Sequence, residues 1–195
     1  GSLSFVMFFN WTVSARVIIP AIFPAALLAV RRIESSDSPS WWRDWAWGSA
    51  ALAAAVSLLL AVVDYDFASA GRTFAQTSVR DILKTNSRVF FSGHWGFQYY
   101  MEKEGAAAFN YKSQDIQDGD IIVYPYNNTN LRPINVSMTQ ISERFFPNPW
   151  PLQIHRSAGG VSFNSTLWGP VPFSGKQDDF IDRFWVFRVN LVARG

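Results

Sequence analysis

The feature that most constrains this chain is an apolar run from Trp45 to Val63, WAWGSAALAAAVSLLLAVV, which contains no charged residue and no proline. A helix of about nineteen residues is about 28 Å long, close to the thickness of the hydrocarbon core of a bilayer. The alternative is a buried helix of a soluble protein, because the run is rich in alanine. Such helices seldom remain uncharged on every face for about five turns, so the run predicts a membrane span.

A second apolar stretch, Leu3 to Val30, precedes this run and is interrupted by polar residues near Asn10. It divides into the end of one helix and a new helix at 15–30. The new helix contains two prolines, which membrane bundles tolerate because neighbouring helices satisfy the freed carbonyl groups. The expected membrane part of the fold is therefore two spans, at 15–30 and 45–63, plus the end of a third.

The distribution of arginines predicts the orientation of these spans. The short connection at 31–44 holds three arginines, and the positive-inside rule counts Lys and Arg rather than net charge. We therefore expect a cytoplasmic loop at 31–44. The expected domains are a transmembrane region at 1–64 and an exoplasmic domain at 65–195.

The outer domain has the pattern of a small mixed α/β unit. Predicted elements are an amphipathic helix at 68–84, a strand at 88–92, a helix at 97–104, and strands at 106–111 and 121–124. This order predicts a Rossmann-like sheet. Proline-rich loops follow, and two later strands, 152–156 and 184–190, are expected to pair antiparallel as a C-terminal addition to the domain.

Composition excludes several classes of function. The formal net charge is +2 and the outer domain is nearly neutral, so we expect no nucleic-acid partner. The chain has no cysteine, and its two histidines lie about sixty residues apart, so no metal site is expected. Dinucleotide and phosphate-loop motifs are absent, so no cofactor is expected.

The aspartates at 118, 120, 178, 179 and 182 are either catalytic carboxylates or surface residues of turns, and we assign no catalytic residue among them.

His94 is the first candidate for a binding residue, because it follows a predicted strand directly and precedes a helix. Residues at this edge of α/β sheets face the crevice where ligands bind. The alternative is a histidine that holds the turn by hydrogen bonds. Trp95 and Tyr99, with Phe97 and Tyr100, form either an aromatic platform for a sugar or lipid headgroup or part of the core.

Arg16, near the start of the helix at 15–30, is the second candidate. An arginine at this position either extends to the membrane interface or faces a polar cavity. In the second case it binds an anion such as a lipid phosphate.

Three segments carry a resemblance to a known family. The segment at 10–34 reads NWTVSARVIIPAIFPAALLAVRRIE, the segment at 91–106 reads FSGHWGFQYYMEKEGA, and the segment at 119–130 reads GDIIVYPYNNTN. The first resembles late membrane helices of bacterial polyprenyl-phosphate-dependent glycosyltransferases of the protein-mannosyltransferase and aminoarabinose-transferase type. The other two resemble the C-terminal exoplasmic domain of a subset of these proteins, and the tail after about residue 135 resembles nothing specific.

The resemblance implies a multi-pass enzyme of the inner membrane that moves a sugar from a polyprenyl-phosphate carrier to an acceptor at the periplasmic face. The implied partners are membrane lipid, the carrier-linked sugar and an unidentified acceptor. The family's catalytic Asp lies in an early exoplasmic loop that this chain does not contain, so the chain alone is expected to be inactive. Arg16 matches the position of an exoplasmic Arg in the family and is expected to contact carrier phosphate.

Two other functions remain open from the residues alone. One is a membrane-anchored exoplasmic binding or sensor module without catalysis, whose sheet edge near His94 holds a ligand. The other is a free-standing hydrolase, for which the sequence offers no recognisable catalytic group. The expected substrate-binding residues in the transferase interpretation are Arg16, His94, Trp95 and Tyr99.

Overall fold

A computed structural model describes residues 15–34, 40–112, 115–128, 131, 133–163 and 171–191. The chain divides into two compact units. One contains the residues up to Val63 together with Leu152–Gly175, and the other contains Asp64–Pro151 and the residues from Lys176 onward. The domain boundaries expected at 1–64 and 65–195 stay a prediction.

Two helices open the described chain, α1 at Ala15–Glu34 and α2 at Ser40–Phe74. Of the described residues, only the helical region at 44–83 is long and apolar enough to cross a membrane, and 6% of its most apolar stretch is buried. The connection expected at 31–44 is shorter than predicted, because its two ends belong to these helices.

The predicted fold class, two spans plus the end of a third, is therefore wrong. The uncharged part of α1 runs only from Val17 to Val30, which is about fourteen residues and about 21 Å of helix. That length falls short of the roughly 30 Å of a hydrocarbon core. The residues expected to end a third span precede Ala15 and lie outside the described residues.

After α2 the helix widens into a π-helical turn at Ala75–Val79 and closes with a short helix, α3, at Arg80–Leu83. The Thr77 hydroxyl donates to the carbonyl of Thr73 at 2.7 Å, a side-chain bond that competes with the regular helical ladder. The helix predicted at 68–84 is confirmed in position, and the π-helical turn was not predicted.

The second unit is built on a five-stranded sheet in the order β2-β1-β3-β9-β4. Its strands are β1 (Val89–Phe91), β2 (Ala107–Ala108), β3 (Ile121–Pro125), β4 (Met138–Pro147) and β9 (Phe180–Val189). Strands β2 and β3 both lie parallel to β1, while β9 is antiparallel to β3 and β4 is antiparallel to β9. Helix α4, Trp95–Lys103, connects β1 to β2. The sheet is therefore mixed, with parallel strands at one side and antiparallel strands at the other.

One face of the sheet packs against the helices. Phe74 stacks on Phe184 with ring centroids 4.4 Å apart, and Phe97 stacks on Phe184 at 5.6 Å. The rest of this core consists of buried apolar side chains from α2, the π-helical turn, α4 and the central strands, including Val79, Phe91, Met101, Val123 and Val186. On the opposite face a smaller core forms around Phe90, Ile122, Ile134 and Val189.

An ion pair fixes the amino-terminal end of the parallel strands. Arg88 donates from Nε and Nη2 to the two carboxylate oxygens of Asp120, at 2.8 and 2.6 Å. Asp120 is buried and also accepts the backbone N–H of Gln117 at 2.7 Å. This bidentate contact holds the register in which Val89 lies beside Ile121.

The remaining strands belong to the first unit and form two short antiparallel pairs. Strand β5 (Leu152–Gln153) pairs with β8 (Ser174–Gly175), and β6 (His155–Arg156) pairs with β7 (Val161–Ser162). A turn of 3-10 helix at Ser157–Gly159 joins the second pair.

Two predictions for the C-terminal half are wrong, namely a single strand at 152–156 and its pairing with the strand at 184–190, although the second strand itself is confirmed. The strand expected at 152–156 is divided between β5 and β6, and it does not pair with the strand expected at 184–190. That strand is part of β9, which pairs with β3 and β4. Strand β4 was not predicted, because MTQISERFFP has no apolar alternation; most of its side chains are exposed.

Candidate functional site

The chain changes direction around β1. It leaves β1 through α4 to reach β2 on one side, and then returns to form β3 on the other side of β1. In α/β sheets such a reversal opens a ligand site at the carboxyl ends of the two strands. We call this region the β1–β3 edge and define it by residues 92–95, which follow β1, residues 126–128, which follow β3, and Tyr111.

Gly93 allows the two loops of the β1–β3 edge to come together. Its φ is +133°, which side-chain-bearing residues rarely adopt. A β-carbon here would lie 3.1 Å from Phe97 Cδ1 and 3.2 Å from both Asn128 Cγ and Pro125 Cγ. Only glycine fits this combination of backbone angle and contact.

Two hydrogen bonds in opposite directions join His94 to Asn128. The His94 backbone N–H donates to Asn128 Oδ1 at 2.9 Å, and Asn128 Nδ2 donates to the His94 carbonyl at 3.4 Å. The asparagine side chain therefore pairs with the backbone of His94, the last residue of the loop after β1, as a neighbouring strand would.

The neighbouring Asn127 ties the same loop to β9. Its backbone N–H donates to Asp182 Oδ1 at 3.1 Å, and its Nδ2 donates to the carbonyl of Ile181 at 3.1 Å. Burial raises the pKa of Asp182 to about 7, and hydrogen bonds from the backbone of Arg183 and Asn127 offset this only in part. A buried carboxyl group with a raised pKa thus contacts the β1–β3 edge through Asn127.

The His94 ring is oriented by a relay along α4. Its Nδ1 lies 3.1 Å from Gln98 Oε1, and Gln98 Nε2 donates to Glu102 Oε1 at 2.8 Å. Because Gln98 Oε1 can only accept, Nδ1 is the donor in this hydrogen bond. His94 therefore holds its turn through its backbone, and Gln98 fixes the orientation of its ring.

Trp95 begins α4 in a left-handed backbone conformation, with φ at +60°. For a bulky residue this conformation is an outlier that costs roughly 1–3 kcal/mol, and such strain is concentrated at functional sites. Its side chain is 57% exposed, and so is that of Tyr99, one helical turn later, at 59%. The structure therefore places His94, Trp95 and Tyr99 together at the start of α4.

The other two aromatic residues of the expected platform have different roles. Phe97 is buried in the core against Phe91 and Phe184. Tyr100 is half-buried and packs edge-to-face with Tyr99 at 5.1 Å. The Lys103 ammonium lies 6.0 Å from the centroid of the Tyr99 ring. The exposed aromatic residues of the expected platform are thus Trp95 and Tyr99, and the Lys103 cation lies beside Tyr99.

Hydroxyl groups complete the edge on its other side. Ser92 Oγ and Tyr111 Oη are 2.6 Å apart. The pKa of Tyr124 is raised, mainly by burial and to a smaller extent by the nearby Tyr111 phenol. The Tyr124 phenol therefore stays protonated at neutral pH. The β1–β3 edge therefore combines neutral hydrogen-bonding groups with exposed aromatic rings.

The acidic residues singled out in the sequence have structural partners. Asp118 accepts the backbone N–H of Leu191 at 2.8 Å, and Asp120 is bound by Arg88. Asp182 accepts backbone donors from Asn127 and Arg183. Within the described ranges, no three His, Asp or Glu side chains group in a way that would hold a metal ion.

Arg16 is not brought to this site by anything the structure describes. Its backbone lies in the first turn of α1, and its side chain lies outside the described part of the chain. Its expected contact with a phosphate stays a prediction.

Sequence reasoning missed several residues of the β1–β3 edge. These are Ser92, Tyr111, Asn127 and Asn128, and Gln98, which contacts the His94 ring from α4, was missed as well. The sequence does contain one signal, the Asn-Asn pair that follows the apolar strand after Tyr126, because short polar side chains often cap loops. No comparable signal marks Tyr111, since its contact depends on where the loop after β2 returns.

Comparison of this chain with models of known protein families, with curated proteins and with solved structures finds no significant match.

Proposed function

We propose that this chain is part of an integral membrane glycosyltransferase that transfers a sugar from a polyprenyl-phosphate carrier to an acceptor at the exoplasmic face. Its folded second unit binds the sugar at the β1–β3 edge. The observation that carries the proposal is the pair of hydrogen bonds between His94 and Asn128. These residues come from the two outer segments, 91–106 and 119–130, on which the family resemblance rests.

The chemistry of the edge supports a sugar ligand. Sugars present hydroxyl groups around a ring that has apolar C–H faces, so their sites combine neutral donors and acceptors with aromatic rings. The Tyr111 hydroxyl, which contacts the buried Ser92, and the His94 ring supply the polar groups. Trp95 and Tyr99 supply exposed rings.

Helix α2 supports attachment to a membrane. Its apolar stretch is almost entirely exposed, with Trp47, Leu52 and Leu58 each more than two-thirds accessible. In a soluble protein, neighbouring elements would cover the apolar side chains of a buried helix. Within the proposal, α2 is a membrane anchor and its tryptophans occupy the interface.

A membrane-anchored binding module without catalysis is the second candidate. This candidate is favoured by hydrogen bonds among the side chains of the site, between His94 and Gln98 and between Ser92 and Tyr111. Such bonds hold the side chains in place before a ligand arrives, as in a preformed binding site. The two candidates share the ligand and differ in turnover.

A donor-turnover assay separates them. Membranes containing either this chain or the complete gene product are supplied with a polyprenyl-phosphate-linked hexose, and release of free polyprenyl phosphate is measured. The transferase proposal predicts release by the complete gene product, reduced about tenfold or more by Asn128→Ala, and none by the chain alone. Donor binding without release by the complete gene product would favour the module, and neither binding nor release would refute both.

A further inference from the structure

A second cluster lies on the sheet face opposite the helices, at the end of β3 and along β9 and β4. Its members are Tyr126, Glu143, Phe145, Phe180, Arg183 and Trp185, and we call it the aromatic–guanidinium patch. Register places them side by side, because Trp185 lies opposite both Tyr124 and Glu143, and Phe145 lies opposite Arg183.

Arg183 is the centre of this patch. Its guanidinium carbon lies 4.3 Å from the ring centroid of Phe180, 5.9 Å from that of Trp185 and 6.0 Å from that of Tyr126. Tyr126 in turn packs edge-to-face on Trp185 at 5.6 Å and on Phe180 at 5.5 Å. Three rings thus hold one cation in a fixed position.

The polar groups of the patch contact one another at a partly exposed position, and Glu143 also accepts a hydrogen bond from Gln140 Nε2 at 3.3 Å. Arg183 Nε lies 3.2 Å from Glu143 Oε1, but the buried Nε–H is not aligned for a hydrogen bond with any described residue. Among the described residues, the side chain of Arg183 contacts Glu143 through this ion pair and the three rings through cation–π interactions. A guanidinium carries five N–H donors, and both side chains of the pair are about one-third exposed.

Charge decides which ligand fits. Glu143 neutralises Arg183, so the patch carries no net charge and does not favour an anion or a cation. It offers donors from Arg183, an acceptor from Glu143, and the faces of half-exposed rings, with Phe145 63% exposed beside them. An uncharged ring with many hydroxyl groups matches each of these features.

We propose that the aromatic–guanidinium patch binds a neutral saccharide, with a sugar ring against Trp185 and its hydroxyl groups hydrogen-bonded to Glu143 and Arg183. Adjacent strands are about 4.8 Å apart, so a patch that crosses β3, β9 and β4 is about 10 Å wide and spans about two sugar rings. The proposal concerns a site separate from the β1–β3 edge and does not depend on the chain being part of a transferase.

The test is titration of the chain in lipid nanodiscs with maltotriose, cellotriose and a mannotriose, followed by saturation-transfer NMR and calorimetry. At least one trisaccharide should bind saturably. Glu143→Gln should weaken that binding about tenfold, because a hydrogen bond to a charged acceptor becomes a bond to a neutral one. Asp81 is an exposed residue of α3 whose carboxylate pairs with Lys84. The control variant Asp81→Asn should leave the Kd for the trisaccharide unchanged.

Trp185→Phe gives a second measure of saccharide binding, since it keeps an aromatic ring but reduces the area of that ring. Thermal unfolding of this variant reports whether the fold is intact. Absence of saturable binding by all three trisaccharides would overturn the proposal, as would equal binding by the wild type and Glu143→Gln. Tighter binding of an anionic ligand such as galacturonate than of the neutral sugars would also overturn it. None of these outcomes depends on donor turnover, so a failure here is distinct from a failure of the proposed transferase function.

Discussion

The Asn128 side chain and the His94 backbone form two hydrogen bonds, at 2.9 and 3.4 Å, between loops that are 34 residues apart in the sequence. This link brings together the ends of the two central parallel strands. It also orients the first residue of α4 and therefore the exposed rings of Trp95 and Tyr99. One amide side chain thus connects the two loops of the candidate site.

Replacing Asn128 with alanine should loosen this link. We expect Asn128→Ala to lower the free energy of unfolding by about 1–2 kcal/mol, because it removes two hydrogen bonds and leaves backbone groups without these partners. Hydrogen exchange of the His94 amide should become faster, as read from peptides that cover residues 92–97. Asn110→Ala is the matched control, since Asn110 is exposed and makes a local bond to the Lys112 backbone at 3.0 Å. Equal effects of the two variants would contradict the assigned role of Asn128.

Glycine at position 93 should be far more sensitive to substitution than glycine at position 96. Gly93→Ala forces an alanine into φ +133° and against atoms 3.1–3.2 Å away, so we expect a loss of roughly 1–3 kcal/mol. A β-carbon at Gly96 has no neighbour within 4 Å, and Gly96→Ala should be neutral or stabilising by up to about 1 kcal/mol. Chemical denaturation of both variants measures the difference, and similar losses would argue against the geometry of this turn.

The backbone of Trp95 predicts an inverted order of stability. In an ordinary helix, glycine is less stable than alanine by about 1 kcal/mol. At φ +60° the β-carbon of alanine is strained and glycine is not, so Trp95→Gly should be at least as stable as Trp95→Ala. Thermal unfolding of the two variants tests this. If Trp95→Ala is instead more stable than Trp95→Gly by about 1 kcal/mol, Trp95 has a normal helical conformation.

Asp182 and His155 should give opposite dependences of stability on pH. The folded-state pKa of Asp182 is raised by burial from 3.8 to about 7. The folded protein therefore retains a proton that the unfolded chain has lost. Its contribution to stability is fully present below about pH 4 and is lost as the pH rises through 7.

Burial lowers the pKa of His155 from 6.5 to about 4. The contribution of His155 is therefore present above about pH 6.5 and is lost as the pH falls through 4. Asp182→Asn should remove the fall in unfolding temperature between pH 5 and 7.5, and His155→Gln should remove the fall between pH 6 and 4. Identical pH profiles for the wild type and Asp182→Asn would show that this carboxyl group does not titrate in that range.

The central strands and their helix could be predicted because their signals are local. Val89–Phe91 and Ile121–Val123 are apolar runs bounded by polar or glycine-containing turns, and both strands are confirmed. The helix expected at 97–104 is also confirmed, with bounds shifted to Trp95–Lys103. Strand β4 is held by pairing with β9, about forty residues later, and an exposed edge strand does not need a buried apolar face.

The same reasoning explains which site residues were found. His94 was identified because its position after a strand can be read from the sequence, and Trp95 and Tyr99 because they are its neighbours. Tyr111 and Asn128 join the site only through the way the sheet brings three loops together, at sequence separations of 19 and 34 residues. The prediction of a second membrane span is wrong for a different reason. The uncharged stretch at 17–30 forms only about 21 Å of helix, which is shorter than the hydrocarbon core of a bilayer.

The most direct test of the proposed function is binding of a polyprenyl-phosphate-linked hexose to the chain in lipid nanodiscs, followed by hydrogen exchange. We predict saturable binding that slows exchange in residues 92–97 and 125–128. Free polyprenyl phosphate should not produce this protection, and Trp95→Ala should weaken binding about tenfold, while Trp42→Ala on the exposed face of α2 should not. Equal protection by the carrier without its sugar, or none at these residues, would contradict a sugar site at the β1–β3 edge.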